Sequence, residues 1–236
     1  WRIIARLQES ADPQLRRTAH QMQAAARLRE RRRKLSKKLL SKDTKLLDAL
    51  VEVHLQWFDE DSEDYVVKEW NRFRNLSKNW DADNLHNLSE VMKALTMQCT
   101  QFEDLECADY CLGEVVATGK GVDLMLCAIG RILAREEKWD PSIIATDAGF
   151  CLYDENQKIG LFPAKNWMCA NCEIKSNVKR WSDIMLVNLV ASSIFFCSMA
   201  SGELRYSYIL GSVLAQSMNA DFNEIMPFPI GTNKIG

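Results

Sequence analysis

The run RLRERRRKLSKKLLSK, residues 27–42, holds the densest chemistry in the chain. Arg27, Arg29, Arg31, Arg32, Arg33, Lys34, Lys37 and Lys38 are cations spaced closely enough to contact phosphates. They would release counterions from nucleic acid and give an affinity that falls with salt. The same charges suit an acidic protein surface, an anionic membrane or a nuclear-import receptor. On a helix they repel one another, so an anionic partner is expected rather than bare solvent. The partner is expected to be nucleic acid, RNA favoured, or the acidic remainder of the chain, in cis or on a neighbouring copy. Two smaller groups add to this. Trp80 follows Arg72, Arg74 and Lys78, and Trp181 follows Lys179 and Arg180, which places aromatic faces beside cations as single-stranded nucleic acid is often held.

The cysteines are the next candidates. Cys169 and Cys172 form a C-x2-C pair, half of a zinc knuckle, and Cys107 with Cys111 is the best available second half. That second pair sits at helical i, i+4 spacing, and no histidine follows at knuckle spacing. Ordinary buried thiols are the expected reading, in a reducing intracellular compartment, with no metal or cofactor. A thioredoxin-like use of C-x-x-C needs a strand before a helix start, which the pattern lacks. The segment ATGKGVD around Gly119-Lys120-Gly121 fails as a phosphate loop. Glu114 stands where the first glycine belongs, and Gly121 replaces the metal-binding hydroxyl. A helix end followed by a helix start explains those glycines. DEDSED, residues 59–64, lacks the glycine of a calcium loop and reads as a solvated acidic turn. His20, His54 and His86 are the only histidines. His54 lies on an apolar helical face with Leu50, Leu55 and Phe58, so a structural histidine is expected there. No nucleophile pairs with a histidine by spacing, and no enzyme is expected. The triplets at Asn75 and Asn87 match the glycosylation signal by chance composition.

These residues need helices to position them. Residues 14–41 are rich in Ala, Leu, Arg, Gln and Lys after Asp12-Pro13, a cap and first turn. Their apolar stripes, Leu15–Ala19–Met22–Ala26 and Leu28–Leu35–Leu39, are thin, so this helix is expected to lean on something else. Asp43 or Thr44 should open a second helix with Leu46, Leu47, Leu50, Val51, His54, Leu55 and Phe58 on one face. Ser62 is expected to cap a third, carrying Val66, Val67, Trp70 and Phe73. Residues 84–102 should form a helix with Leu85, Leu88, Met92, Leu95, Cys99 and Phe102 on one side. Further helices are expected near 104–117 and 121–138, then, past Asp140-Pro141, a β-hairpin over 149–162. Helices over 182–200 and 203–219 and an extended tail at Pro227–Gly231 complete the chain.

The expected fold is mainly α: a multi-helix globular domain with an extended basic N-terminal helical arm and one small β-hairpin. At 236 residues, with 47% hydrophobic side chains, the chain can bury a real core and is not disordered as a whole. Net charge is only −2, but the split is uneven. Residues 1–45 hold 14 Lys or Arg against 4 Asp or Glu, a surplus of ten positive charges. The remaining residues hold 16 against 28, an excess of twelve negative charges. The expected organisation is therefore a basic helical arm, 1–45, and an acidic body, 46–236, with a soft division near residue 140. Because the sequence opens on Trp1 rather than Met, a processed form or a piece of a longer product is expected. No motif matches a family closely enough to name one. The expected function is a non-enzymatic binding and assembly protein, nucleocapsid-like or scaffold-like, that self-associates. Two alternatives stand beside it. One is an accessory subunit of a larger complex, anchored in a membrane by the apolar segment 183–202. The other is a zinc-stabilised or catalytic domain using the four cysteines.

Overall fold

Asp12 and Pro13 start the longest helix. The Asp12 carboxylate accepts the Gln14 N–H at 2.8 Å, and Pro13 sits in the first turn, where a missing N–H leaves no bond unmade. The structure is a computed structural model and describes residues 2–41, 43–78, 81–172, 180–221 and 225. Among these, α1 (Arg2–Gln8) folds back on α2 (Pro13–Leu40), and α3 (Leu46–Trp57), α4 (Glu63–Ser77) and α5 (Leu85–Ala94) follow. Then come β1 (Gln98–Cys99), α6 (Leu112–Thr118), β2 (Lys120–Gly121) and α7 (Asp123–Glu136). An antiparallel meander of β3 (Ser142–Thr146), β4 (Gly149–Asp154), β5 (Ile159–Phe162) and β6 (Met168–Asn171) precedes α8 (Asp183–Ala200) and α9 (Leu204–Met218). Ser62 caps α4 by accepting from Tyr65 N, and Ser182 caps α8 by accepting from Met185 N. The expected tail at 227–231 lies outside the described residues.

Helix α3 is the centre of the packing. Nine of its twelve residues are buried, against α2, α4, α6, α8 and α9. His54 is buried, as its place on the apolar face suggests, but so are Glu52 and Gln56, which an amphipathic reading would put on the outside. One apolar core runs from Leu35 of α2 to Leu214 of α9 and takes in α3, α5, α7 and the inner face of the meander. Across that face Ile143, Leu152 and Leu161 stand in register, while Ile144, Cys151, Tyr153 and Phe162 form a small cluster on the other face. Trp167 ties the meander to the helices: its indole N–H donates to Met97 O at 2.7 Å, and its own carbonyl accepts from Ser89 Oγ.

Three expectations change. The first is the extended arm. Only the early part of α2 fits it, since Leu35 and Leu39 are core residues and Arg31 and Ser36 are buried. The Leu28–Leu35–Leu39 stripe, thin as it is, fits between α3 and α9, and each fully buried leucine gains about 1.5–3 kcal/mol. Leu15 and Met22 on the earlier stripe stay exposed. Second, the hairpin over 149–162 is present as β4 and β5, but two flanking strands widen it to four. A separate two-residue parallel ladder joins β1 to β2. Third, the helix expected over 84–102 stops at Ala94. Thr96 turns to φ 55, Gln98 N donates to Gly119 O at 2.7 Å and Thr100 N to Gly121 O at 2.9 Å. Pairing with a segment twenty residues away outcompetes local helix propensity. Cys99 therefore lies on β1, and the backbone of Phe102 enters a 3₁₀ turn, Phe102–Asp104. Helix α8 is long and apolar enough, by length and composition, to cross a membrane. Its Leu186, Val187, Val190, Ala191, Ile194 and Phe195 are buried in the core, and Phe196 is exposed.

Candidate functional site

The basic run lies wholly on α2, and the helix divides it in two. Arg27, Arg31, Lys34 and Lys38 fall on the side that meets α3 and the acidic turn after it. Arg31 is buried, and its guanidinium clamps the end of α3, donating to Leu55 O at 3.2 Å, to Asp59 O at 2.7 Å and to Asp61 O. Carbonyls in the last turn of a helix have no partner within it, so the guanidinium serves Leu55 O there and ties the acidic turn to the helix end. Burial lowers the Arg31 pKa from its ordinary value, as does the neighbouring Arg27. Lys34 pairs with Glu63 at 3.3 Å, and Lys38 donates to Asp48 O at 3.1 Å. Glu52 sits beneath these cations on α3. Its attraction is the main reason the Lys34 pKa is raised. The Glu52 carboxyl is itself raised: burial outweighs the opposing pull of Lys34, Lys38 and Arg31, and its Oε2 makes no hydrogen bond.

The other side of α2 is different. Arg29, Arg33 and Lys37 recur every four residues, so they share one outward stripe about 12 Å long. All three are exposed, and none has an anionic partner among the described residues. Arg32 is half-buried beside them and folds onto Leu28 O. Of the remaining expected contacts, Arg180 is exposed, bridges to Ile144 and pairs with Glu155 at 3.0 Å. No hydrogen bond or ion pair connects it with the α2 run among the described residues. Trp80 and Lys179 lie outside the described residues. Trp181 is half-buried against Phe150, with ring centroids 5.7 Å apart.

The four cysteines weighed as metal ligands do not converge. Cys111 is fully buried and donates to Cys107 O, while Cys107 approaches Cys197. Cys172 approaches Cys151, whose thiol burial pushes up to about 12, and Cys169 points to Leu85 O. Among the described residues no group of three or more His, Cys, Asp or Glu side chains is arranged to hold a metal ion. His54 is almost completely buried. Its Nδ1 accepts from Gly113 N at 3.2 Å, which puts the proton on Nε2, 3.0 Å from Asp61 Oδ2. With both nitrogens engaged it holds α3, α6 and the acidic turn together. A Cβ at Gly113 would fall 2.7 Å from the ring, so only glycine lets α6 come this close.

Sequence reasoning missed a cavity of about 540 Å³ between the start of α7, the loop after β1, β4 and the middle of α8. Asp123, Thr100, Gln101 and Ser193 are its polar wall, and Tyr110, Phe150 and Trp181 its aromatic wall. Asp123 bridges α7 to β4: Oδ1 accepts from Leu124 N and Oδ2 from Phe150 N, each at 2.7 Å. Gly149, at φ 101, has to be glycine, because a side chain would strike Asp123 Oδ2. Burial raises the Asp123 carboxyl, against the pull of those two N–H groups. Nearby, Arg135 forks onto Asp183 at 2.6 and 3.0 Å, and both Arg131 and Arg135 reach Asp140. Burial alone would raise the Asp140 carboxyl, but these guanidiniums hold it below its usual range. Arg131 also donates to Trp181 O, which fixes that wall of the cavity. The lining residues are scattered from Cys99 to Ser193, so no local motif marks them. The one sequence signal is the glycine before Phe150.

No protein-family model, curated protein or solved structure matches this chain.

Proposed function

We propose that the protein is a non-enzymatic binding and assembly protein whose outward α2 stripe holds nucleic acid, RNA favoured. One observation carries this reading. The inward cations Arg31, Lys34 and Lys38 lie against Glu52 and the acidic turn of their own chain, but Arg29, Arg33 and Lys37 face outward with no anionic partner among the described residues. Like charges at i, i+4 destabilise a helix by about 0.2–0.5 kcal/mol per pair, and a polyanion removes that penalty. The acidic surface of another copy is the competing occupant. It is the weaker one, because the acidic turn nearest to α2 already serves its own helix.

Removing residues 1–45 would also take Leu35, Leu39 and Arg31 from the core, so substitutions on the outer stripe test the reading more cleanly. The measurement is fluorescence anisotropy of single-stranded RNA, at about 50 and 200 mM salt, with the wild type and the triple variant Arg29→Gln/Arg33→Gln/Lys37→Gln. Three lost phosphate contacts should flatten the log–log salt slope by about 2, at unchanged Tm. Equal RNA affinity in the two proteins sinks the proposal. If light scattering instead shows self-association that the triple variant abolishes, the stripe's partner is a second copy.

A further inference from the structure

We propose that the cavity at the start of α7 binds a small organic cation, an ammonium group with an apolar body. This inference is independent of the α2 stripe. The volume, about 540 Å³, falls in the range of roughly 300–1,000 Å³ usual for small-molecule sites. Three features of the wall select the ligand. The first is charge: among the described residues Asp123 lines the cavity, no Lys, Arg or His does, and Asp123 has no ion-pair partner. Asp109, held by Thr100 Oγ1 at 2.8 Å, adds a second carboxylate close behind. Both aspartates act on the cavity's Tyr110 and Cys99, whose protons burial chiefly holds on. The field inside is therefore negative.

The second feature is aromatic. Phe150 and Trp181 meet at 67°, making a corner, and Tyr110 also lines the cavity. Ring faces beside a carboxylate attract a cation that sheds water easily, as quaternary and alkylated amines do. The third is donor count. Each Asp123 oxygen already accepts one backbone N–H, so a single half-occupied carboxylate remains, too few oxygens for a calcium or magnesium ion. An anion would be repelled, and an uncharged apolar ligand would strip water from Asp123 without replacing its interactions.

The test is calorimetric titration of the full chain with choline and with 3,3-dimethyl-1-butanol, its uncharged isostere of nearly the same shape. Choline should bind at least about tenfold more tightly. Asp123→Asn and Tyr110→Leu should each weaken choline by about tenfold and leave the isostere unaffected. The wild-type comparison decides the matter even if Asp123→Asn loosens the α7–β4 junction. Equal affinity for the two probes, or no heat with either at millimolar concentration, overturns the proposal. Tighter binding of a trimethyl-lysine peptide than of choline overturns the assignment to a free small molecule.

Discussion

At the scale of single residues, two buried polar groups on α3 set the response to pH. His54 holds its proton on Nε2 and accepts at Nδ1, so a second proton at Nδ1 would face the Gly113 N–H. Burial lowers its pKa against the raising effect of Asp61, whereas the unfolded chain titrates near its ordinary value of about 6.5. Between the two values the unfolded state binds more protons, so stability is full above about pH 6.5 and falls as pH drops through that window. His54→Gln keeps one acceptor and one donor but does not titrate. The loss of Tm between pH 7.5 and 5.5 should therefore be smaller in the variant, and an identical loss would discard the assignment. Glu52 works in the opposite sense. Its folded pKa is raised by burial, so its ionisation weakens the fold as pH rises above about 4.3, and Glu52→Gln should raise Tm at pH 7 with the gain shrinking toward pH 4. His54 was legible as a structural histidine from its apolar neighbours, but neither Gly113, nearly sixty residues away, nor the burial of Glu52 leaves a local signal.

At the scale of elements, α2 carries two kinds of cation in one run, and they should respond differently to the same substitution. Arg31→Gln removes charged hydrogen bonds to one carbonyl in the last turn of α3 and two in the acidic turn after it, and should cost about 3 kcal/mol. Arg33→Gln, two residues on and exposed, should stay within about 0.5 kcal/mol. Urea denaturation of both variants checks this, and similar losses would contradict the division of the helix into inner and outer faces. Composition and capping made α2, α4, α7, α8 and α9 readable, because each is long or strongly periodic and three start on a Ser or Asp cap. The short strands were harder. β6 is only four residues, and β1 and β2 are two each, so they exist only through their partners.

At the scale of the whole molecule, one core crosses both boundaries expected from charge and proline, near residues 45 and 140. A chain starting at residue 29 should keep a single cooperative unfolding transition within a few degrees of the full-length Tm. It loses only α1 and the part of α2 whose one buried residue is Ala19. A second transition, or collapse of the first, would show that the α1–α2 hairpin supports the core. The sequence by itself determined that the protein is mainly helical, where most helices begin, and that positive charge gathers at one end. Those properties are local, arising from side-chain type, caps and periodicity. Tertiary structure alone decided which cations face an acid of their own chain and which face outward. It also decided that polar residues of α3 go inside, and that an aspartate and three aromatics far apart in the chain enclose one cavity. Those outcomes depend on contacts between distant segments, whose energy no local window of sequence contains.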